Sequence, residues 1–342
     1  MDINFLSSYI VFSIFFIFIC RKYNFIIDYK LERHKRFSSK IKSSSIGGIL
    51  LGIFFIYQFI YQSIDYYLLI FLLSILFLGL MSDIKLFNNV GLRFFFQLII
   101  ILFFTYILNY EIETTKIYFF DQLLQNNIFN IIFVTFCLMV LMNGSNFIDG
   151  LNGLLIKYFL IIYLLIFYKF GDFVNIDIDL LMNLIIILTF ILIVNLLGLI
   201  YMGDSGAYLL SLFSGIYLIN FSAENSYISP YLIIVFLWYP CFELLFSMLR
   251  RYITKFKAYK PDVLHLHQYI YVFTKREFKV VNDQLSHFLT SLMINFYNLL
   301  SFIIAINFIY NSKILISIIL INIFVYLAIY NLFHKKYGNV KN

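Results

Sequence analysis

The chain has 342 residues, of which 62% are hydrophobic and 13% are charged, and its mean hydropathy is +0.90. This composition lies well outside the range of soluble globular domains and indicates an integral membrane protein. A net charge of +7 could suggest a nucleic-acid partner in a soluble protein. Here the basic residues cluster in loops beside apolar segments, so we expect no nucleic-acid partner.

Apolar segments recur along the chain at about the 20-residue length that a helix needs to cross roughly 30 Å of hydrocarbon. They are continuously apolar rather than alternating, which predicts helices and not barrel strands. The predicted spans are residues 3–20, 46–64, 66–82, 92–109, 128–143, 154–170, 180–200, 206–222, 230–248, 288–309 and 314–333. We therefore predict an all-α polytopic membrane protein with about eleven transmembrane helices, folded as a single domain over residues 1–342.

Basic residues set the predicted orientation. They are concentrated in the loops 21–45 and 249–287, which fall on the same side when the spans alternate. The positive-inside rule makes that side cytoplasmic, so the N-terminus is predicted outside and the C-terminus inside. The charges of the first span follow its apolar run instead of preceding it, which predicts a retained helix and not a cleaved signal.

Four polar segments interrupt the apolar sequence, and all of them emerge on the predicted cytoplasmic side. They are Ser82-Asp83, Asn143 to Asn152, Gly203 to Gly206 and Pro261 to His267. In the second segment, asparagine or aspartate recurs every three residues, so these side chains share one side of a helix end. The glycines there allow a ligand to approach the backbone. One site assembled from four loops is the simplest explanation.

Two acidic motifs have both a functional and an ordinary interpretation. Asp83 ends an apolar span, as an ordinary helix-end acid also would. Asp204 is flanked by glycines between two predicted helices, where its carboxylate could face a phosphate-bound Mg²⁺, an ion that takes oxygen ligands and shares substrate phosphates. A simple turn with Asp204 as a helix N-cap is the alternative.

His265 and His267 lie in the long basic loop and could be zinc ligands, surface histidines or donors to a phosphate. Zinc is disfavoured because no further cysteine or histidine nearby has ligand spacing. Phosphate binding agrees better with the charge of the loop. For Glu243, late in the ninth predicted span, we expect a role in helix packing or pairing with Arg250 or Arg251.

Taken together, four motifs resemble the polyprenyl-phosphate N-acetylhexosamine-1-phosphate transferase superfamily, over a core of about residues 45–270. These motifs are Gly79-Leu-Met-Ser-Asp83, Asn143-Gly-Ser-Asn-Phe-Ile-Asp-Gly-Leu-Asn-Gly-Leu154, Gly203-Asp-Ser-Gly206 and Pro261-Asp-Val-Leu-His-Leu-His267. The resemblance implies a glycosyltransferase family 4 type enzyme in the plasma (inner) membrane, with its active site on the cytoplasmic face. It implies transfer of a sugar 1-phosphate from a UDP-N-acetylhexosamine to undecaprenyl phosphate, with Mg²⁺ as cofactor and UMP as product.

The resemblance also implies roles for individual residues. Asp204 and Asn146 match the magnesium site, and Asp149 matches the acid on the nucleotide side. Asp83 is expected to position the lipid phosphate. The other matches are His265 and His267 of the histidine motif, and Arg93, Asn143 and Asn152, which are polar groups near the substrates. The partners implied are the UDP-sugar, undecaprenyl phosphate and membrane lipid, and the oligomeric state is left open, a homodimer included.

Three positions depart from the pattern of the superfamily: Ser82 stands where an aspartate is usual, Asn152 where a second aspartate is usual, and Gln268 where another histidine is usual. The eleven predicted spans and the His-Leu-His loop look more like the branch that starts O-antigen, capsule or teichoic-type polymers than the phospho-MurNAc-pentapeptide translocase. Alternatives are the phospho-MurNAc-pentapeptide translocase and a catalytically inactive scaffold. A transporter is disfavoured because its polar groups would lie near the midplane, often in repeats.

Overall fold

The computed structural model describes residues 3–23, 25–26, 43–61, 63–87, 89–171, 177–254 and 264–338. Much of the predicted loop 21–45, and residues 255–263 of the loop 249–287, therefore lie outside the described residues. The first three residues of the fourth polar segment, 261–263, are among them.

Within the described residues the chain forms helices joined by short connections. The helices are α1 (Ile3–Lys22), α2 (Gly47–Ile60), α3 (Tyr66–Asp83), α4 (Val90–Leu108), α5 (Tyr118–Leu124), α6 (Asn127–Ile148), α7 (Leu154–Phe170), α8 (Ile178–Leu196), α9 (Gly203–Glu224), α10 (Pro230–Ile253), α11 (Leu266–Glu277), α12 (Asp283–Ile306) and α13 (Ser312–Tyr337). Two short strands, β1 (Ser44–Ser45) and β2 (Ile200–Tyr201), pair in parallel.

Each segment that the sequence predicts as a span overlaps one of these helices, and α5 and α11 are two further short helices. Among the described residues, eight helices are long and apolar enough to cross a membrane, namely α3, α4, α6, α8, α9, α10, α12 and α13. This architecture agrees with an all-α polytopic membrane protein. The helix α2 has 14 residues, short for a bilayer, and the number of eleven spans stays a prediction.

The helix α9 occupies the centre of the bundle and packs against α2, α3 and α6. It has the lowest mean hydropathy of the eight long helices, 1.3, and the largest buried share, 72%. Polar side chains are tolerated on α9 because it faces other helices and not lipid. Gly79 lets α3 approach closely, since a Cβ at this position would lie 2.4 Å from Ser205 Cα.

The alternating helix directions gather the polar segments at one end of the bundle, which we call the site end. It contains the C-terminal ends of α3, α6, α8 and α10 and the N-terminal ends of α4, α7, α9 and α12. Hydrogen bonds across this end join α3 to α9 and α7 to α8. At the opposite end, which we call the far end, the hydroxyls of Ser229 and Ser312 are 2.8 Å apart.

Candidate active site

Three helix ends meet at Asp204, which lies in the first turn of α9. Arg93, in the first turn of α4, donates from Nη1 to Asp204 Oδ2 at 2.5 Å. Ser82, at the end of α3, donates to the same oxygen at 2.5 Å and accepts from Arg93. The Arg93 and Asp204 side chains are 20% and 26% exposed, so the ion pair is accessible from the site end.

Asp83 anchors the beginning of α9. Its Oδ1 accepts from the Asp204 amide at 2.8 Å, and its Oδ2 accepts from the Ser205 amide and hydroxyl at 3.1 and 2.6 Å. Gly203 has φ of +70°, and a Cβ there would lie 2.7 Å from Asp83 Oδ2. Both oxygens of Asp83 are thus engaged in fixing the turn that carries Asp204, and its contact with a lipid phosphate stays a prediction.

Asn146 lies on the last turn of α6 because this helix continues to Ile148, past the predicted end at residue 143. Its Nδ2 is 3.4 Å from the hydroxyl of Tyr208, which lies one turn after Asp204 on the same face of α9. The structure therefore brings Asn146 and Asp204 to one side of the site. Asn143 lies one turn earlier on α6, where its Nδ2 donates to the Met139 carbonyl at 2.9 Å.

Asp149 follows α6 directly and is half-buried. Burial raises the pKa of its carboxyl well above the usual range, the negative charges of Asp204 and Asp83 raise it further, and a hydrogen bond from the Gly203 backbone opposes the rise. The carboxylates of Asp83, Asp149 and Asp204 thus lie close enough to repel one another, and Arg93 contacts one of them, Asp204. Such an excess of negative charge attracts a cation.

Asn152 is buried in the connection between α6 and α7. Its Nδ2 donates to the Asn195 carbonyl at 3.1 Å, and its backbone amide donates to His287 Nδ1 at 3.1 Å. The Gly153 amide donates to Asn195 Oδ1 at 2.6 Å. These bonds fix the connection against α8 and α12, and a contact of Asn152 with substrate stays a prediction.

The two predicted histidines approach the opposite side of the end of α6. The His265 ring lies 5.1 Å from the ring of Phe147, and it stacks on the His267 ring at 5.5 Å. A Cβ on Gly150 would lie 2.8 Å from His267 Nε2. Residues 146–150, at the end of α6, therefore lie between two groups of side chains. One group contains Asp204, and the other is the histidine pair.

His267 is 1% exposed. Burial lowers the pKa of its imidazole to about 3, and the neighbouring His265 adds to this effect. The ring is therefore neutral near pH 7 and offers one N–H donor. Its buried Nδ1 has no hydrogen-bond partner among the described residues. His267 can thus contact a phosphate as a neutral donor but not as a positive charge.

Glu243 contributes a contact that the sequence interpretation missed. Its Oε1 lies 2.8 Å from His265 Nδ1, and its Oε2 accepts from the Tyr326 hydroxyl at 2.8 Å. We expected helix packing or pairing with Arg250 or Arg251 at this position. A carboxylate within an apolar span was the signal that pointed to a functional role.

The residues present fit a magnesium ion. Among the described residues, Oδ1 of Asp204 and the amide oxygen of Asn146 accept no hydrogen bond and are available as oxygen ligands. In this part of the chain no three histidine, cysteine, aspartate or glutamate side chains converge in a way that could hold a metal by themselves. Mg²⁺ is often held by one or two carboxylates together with waters and substrate phosphates.

Comparison with known proteins supports a transferase. Residues 66–222 match the family model described as Glycosyl transferase family 4. The match supports a polyprenyl-phosphate sugar-phosphate transferase in general, a family that acts on a sugar-phosphate donor and a polyprenyl phosphate in the membrane. No curated protein matches this sequence.

The glycosyl transferase family 4 segment contains the contacts among Ser82, Arg93 and Asp204 and the whole of residues 143–153. Glu243, His265 and His267 lie after its last matched residue. The structure therefore joins the matched segment to a second group of side chains, at the contact between Phe147 and His265.

Proposed function

We propose that the chain transfers an N-acetylhexosamine 1-phosphate from a UDP-sugar to undecaprenyl phosphate, releases UMP, and forms the lipid-linked diphosphate sugar that starts a cell-surface polysaccharide. One observation carries the proposal. Within the glycosyl transferase family 4 segment, three helix ends bring Asp204 and Arg93 into contact beside Asn146 and Asp149. A diphosphate needs both kinds of group, a cation held by carboxylates and a guanidinium.

In the proposed reaction a phosphate oxygen of the lipid attacks the β-phosphorus of the UDP-sugar. A new phosphorus–oxygen bond forms to the lipid phosphate, and the bond from the β-phosphorus to the bridging oxygen breaks, so UMP leaves with that oxygen. The second pKa of a phosphate monoester is about 6, so the attacking group is already largely ionised near pH 7. The protein therefore contributes alignment and charge neutralisation more than a general base.

The side chains divide this work according to their contacts. Arg93 is a fork of N–H donors suited to a phosphate, and its present partner, Asp204, holds it beside the reacting groups. Asp83 keeps the first turn of α9 in place. His265 donates to the substrate phosphates, and Asn143, Asp149 and Asn152 line the side toward the nucleotide.

Asp204 and Asn146 would hold Mg²⁺, which supplies positive charge to the diphosphate oxygens when bound. Replacement of either residue is therefore expected to weaken the binding of Mg²⁺. Asp149 adds negative charge next to this pair and strengthens the attraction for a cation.

The proposal places the site end at the cytoplasmic face of the plasma membrane. Basic residues in the last turns of α10 and α13 support this orientation, namely Arg250, Arg251, Lys335 and Lys336. A UDP-sugar then enters from the cytoplasm while undecaprenyl phosphate enters from the inner leaflet.

The test is UMP release and formation of lipid-linked product by purified protein in nanodiscs, with undecaprenyl phosphate and a panel of UDP-sugars. Asp204→Asn should lower kcat on the order of a hundredfold or more, because it removes the charge that the site is built around. Asp65→Asn is the matched control, since Asp65 also contacts a helix N-terminus but at the far end, and it should retain activity.

Full magnesium-dependent activity in Asp204→Asn would contradict the assignment of the site. Consumption of UDP-MurNAc-pentapeptide in preference to a UDP-N-acetylhexosamine would favour the translocase alternative. The absence of UMP release with every UDP-sugar of the panel would favour the inactive scaffold.

A further inference from the structure

Glu243 is fully buried in α10, in one of the eight long apolar helices. An ionisable side chain in such a helix is costly unless it is paired, and it marks a functional position by default. Besides a 3.5 Å contact with Ser247 in the same helix, its partners come from two other segments. Oε1 contacts His265 Nδ1 at the beginning of α11, and Oε2 accepts from Tyr326 of α13, each at 2.8 Å.

The surroundings of His265 fix the ring in one orientation. Since Nδ1 faces the carboxylate, it is the N–H donor of this pair, and Nε2 is left for another partner. The hydroxyl of Ser247 lies 3.3 Å from the same Nδ1, and Phe147 and His267 contact the ring faces and edges. The carboxylate therefore controls both the tautomer and the direction of the imidazole.

We propose that Glu243 is a positioning residue for the transferase. Its carboxylate holds a proton on Nδ1 of His265 and directs Nε2 to the substrate phosphates, to which Nε2 donates when the ring carries both protons, while Tyr326 holds the carboxylate in place. A carboxylate that accepts from one ring nitrogen orients the ring and favours the doubly protonated imidazolium, in which the other nitrogen can donate to negative charge. This inference rests on the proposed function, because it assigns His265 to the substrate phosphates.

The competing explanation is a buried ion pair that only holds α10, α11 and α13 together. The two explanations differ in how Glu243 and His265 depend on one another. If the carboxylate acts through the imidazole, replacing Glu243 should not lower kcat further in a protein that already lacks the imidazole. If it acts on packing alone, the coupling between the two replacements appears in the thermal stability and not in kcat.

The first test is a double-mutant cycle with Glu243→Gln, which has the same size as the native side chain, and His265→Ala. We expect Glu243→Gln to lower kcat on the order of tenfold to a hundredfold, with little change in KM for the UDP-sugar, because it weakens a charge-assisted hydrogen bond. The double variant should be no slower than His265→Ala alone. Additive losses, or a rise in KM without a fall in kcat, would overturn the proposal.

Tyr326→Phe and Tyr163→Phe provide a matched pair, because each removes a hydrogen-bonded hydroxyl from a buried tyrosine. Tyr326→Phe should lower kcat, while Tyr163→Phe, whose hydroxyl contacts Ser214, should not. Equal effects of the two substitutions would show that a general loss of packing is responsible.

The second test does not depend on activity. In protein labelled with ¹⁵N-histidine, the signals of His265 are identified by their loss in His265→Ala, and they should show a protonated Nδ1. Glu243→Gln should shift the ring toward a singly protonated form, and an unchanged spectrum would overturn the proposal. If the native protein transfers no sugar phosphate, the proposed function fails, while this spectrum still decides whether Glu243 sets the state of His265.

Discussion

At the scale of single residues, the site is defined by an imbalance of charge. The Asp83 and Asp204 carboxylates raise the pKa of Asp149, and Arg93 contacts Asp204 directly. Asp83 is compensated by three donors at the beginning of α9. The pKa of Asp149 is raised well above its usual range, so its protonation should matter for stability.

Asp149→Asn should stabilise the protein increasingly as the pH rises. The pKa of Asp149 is raised in the folded state by burial and by the Asp204 and Asp83 carboxylates. The native protein therefore loses stability as the pH rises through that raised pKa, and an asparagine, which cannot ionise, does not. Thermal melts of the ligand-free protein between pH 4 and pH 9 should show a gap in Tm of about a few degrees that opens toward high pH.

Asp121→Asn is a control for which we expect the opposite change in thermal stability. Burial tends to raise the pKa of Asp121, but hydrogen bonds from Thr115 and Thr114 hold this pKa below its usual value. Its stabilising contribution is present above the unfolded pKa and is lost as the pH falls, so the substitution should lower Tm at neutral pH. A gap in Tm for Asp149→Asn that is independent of pH would contradict the assigned charge environment.

At the scale of helices, the first turn of α9 is the element on which the site depends. It is held by Asp83 from α3, and it presents Asp204 to Arg93 from α4. The turn requires a glycine at position 203, because the backbone there has φ of +70° and a Cβ would lie 2.7 Å from Asp83 Oδ2. A side chain at this position would push Asp83 away from the amides it accepts from.

Gly203→Ala should therefore lower kcat by about tenfold or more, since the left-handed backbone alone costs about 1–2 kcal/mol and the clash displaces the carboxylate. The measurement is UMP release together with a thermal melt. Gly91→Ala, in the first turn of α4 at the same end of the bundle, is the control. A Cβ there would lie 3.3 Å from Asn89 Oδ1, and alanine favours a helix, so activity should be retained. Equal activity of the two variants would show that the turn tolerates a side chain.

At the scale of the whole molecule, helix direction places all the predicted site residues at one end. Exposed lysines mark the two ends, with Lys116 in the connection before α5 at the far end and Lys335 near the end of α13 at the site end. The proposed orientation puts Lys116 outside the cell and Lys335 inside.

Cysteine labelling tests this orientation. In a variant whose Cys20, Cys137 and Cys241 are replaced by serine, Lys116→Cys should react with a membrane-impermeant thiol reagent in intact cells. Lys335→Cys should react only after the membrane is permeabilised, because the bilayer separates it from the reagent. The reverse pattern would place the site end outside and remove access to cytoplasmic UDP-sugars.

The sequence predicted the long helices well because hydrocarbon permits few alternatives to an apolar helix. It did not predict α11, which carries Lys275, Arg276 and Glu277 in its last turn and so lacks a continuous apolar run. The proximity of Asp204 and Arg93 follows from helix direction, and both were expected near a phosphate. The hydrogen bonds of Asp83 to α9 and the contact of Glu243 with Tyr326 could not be predicted, since each joins residues far apart in the chain.

The last helix, α13, is little buried in the protein and yet contacts a buried carboxylate. About a fifth of the apolar window of α13, 22%, is buried in the protein, so most of this helix is exposed on the outside of the bundle. Through Tyr326 it nevertheless holds a carboxylate of the α10 helix. Trimming α13 before this tyrosine would leave one oxygen of Glu243 unsatisfied where no solvent can replace the lost bond. On the proposed function, this outer helix therefore supports His265 through Tyr326 and Glu243 and is not a dispensable anchor.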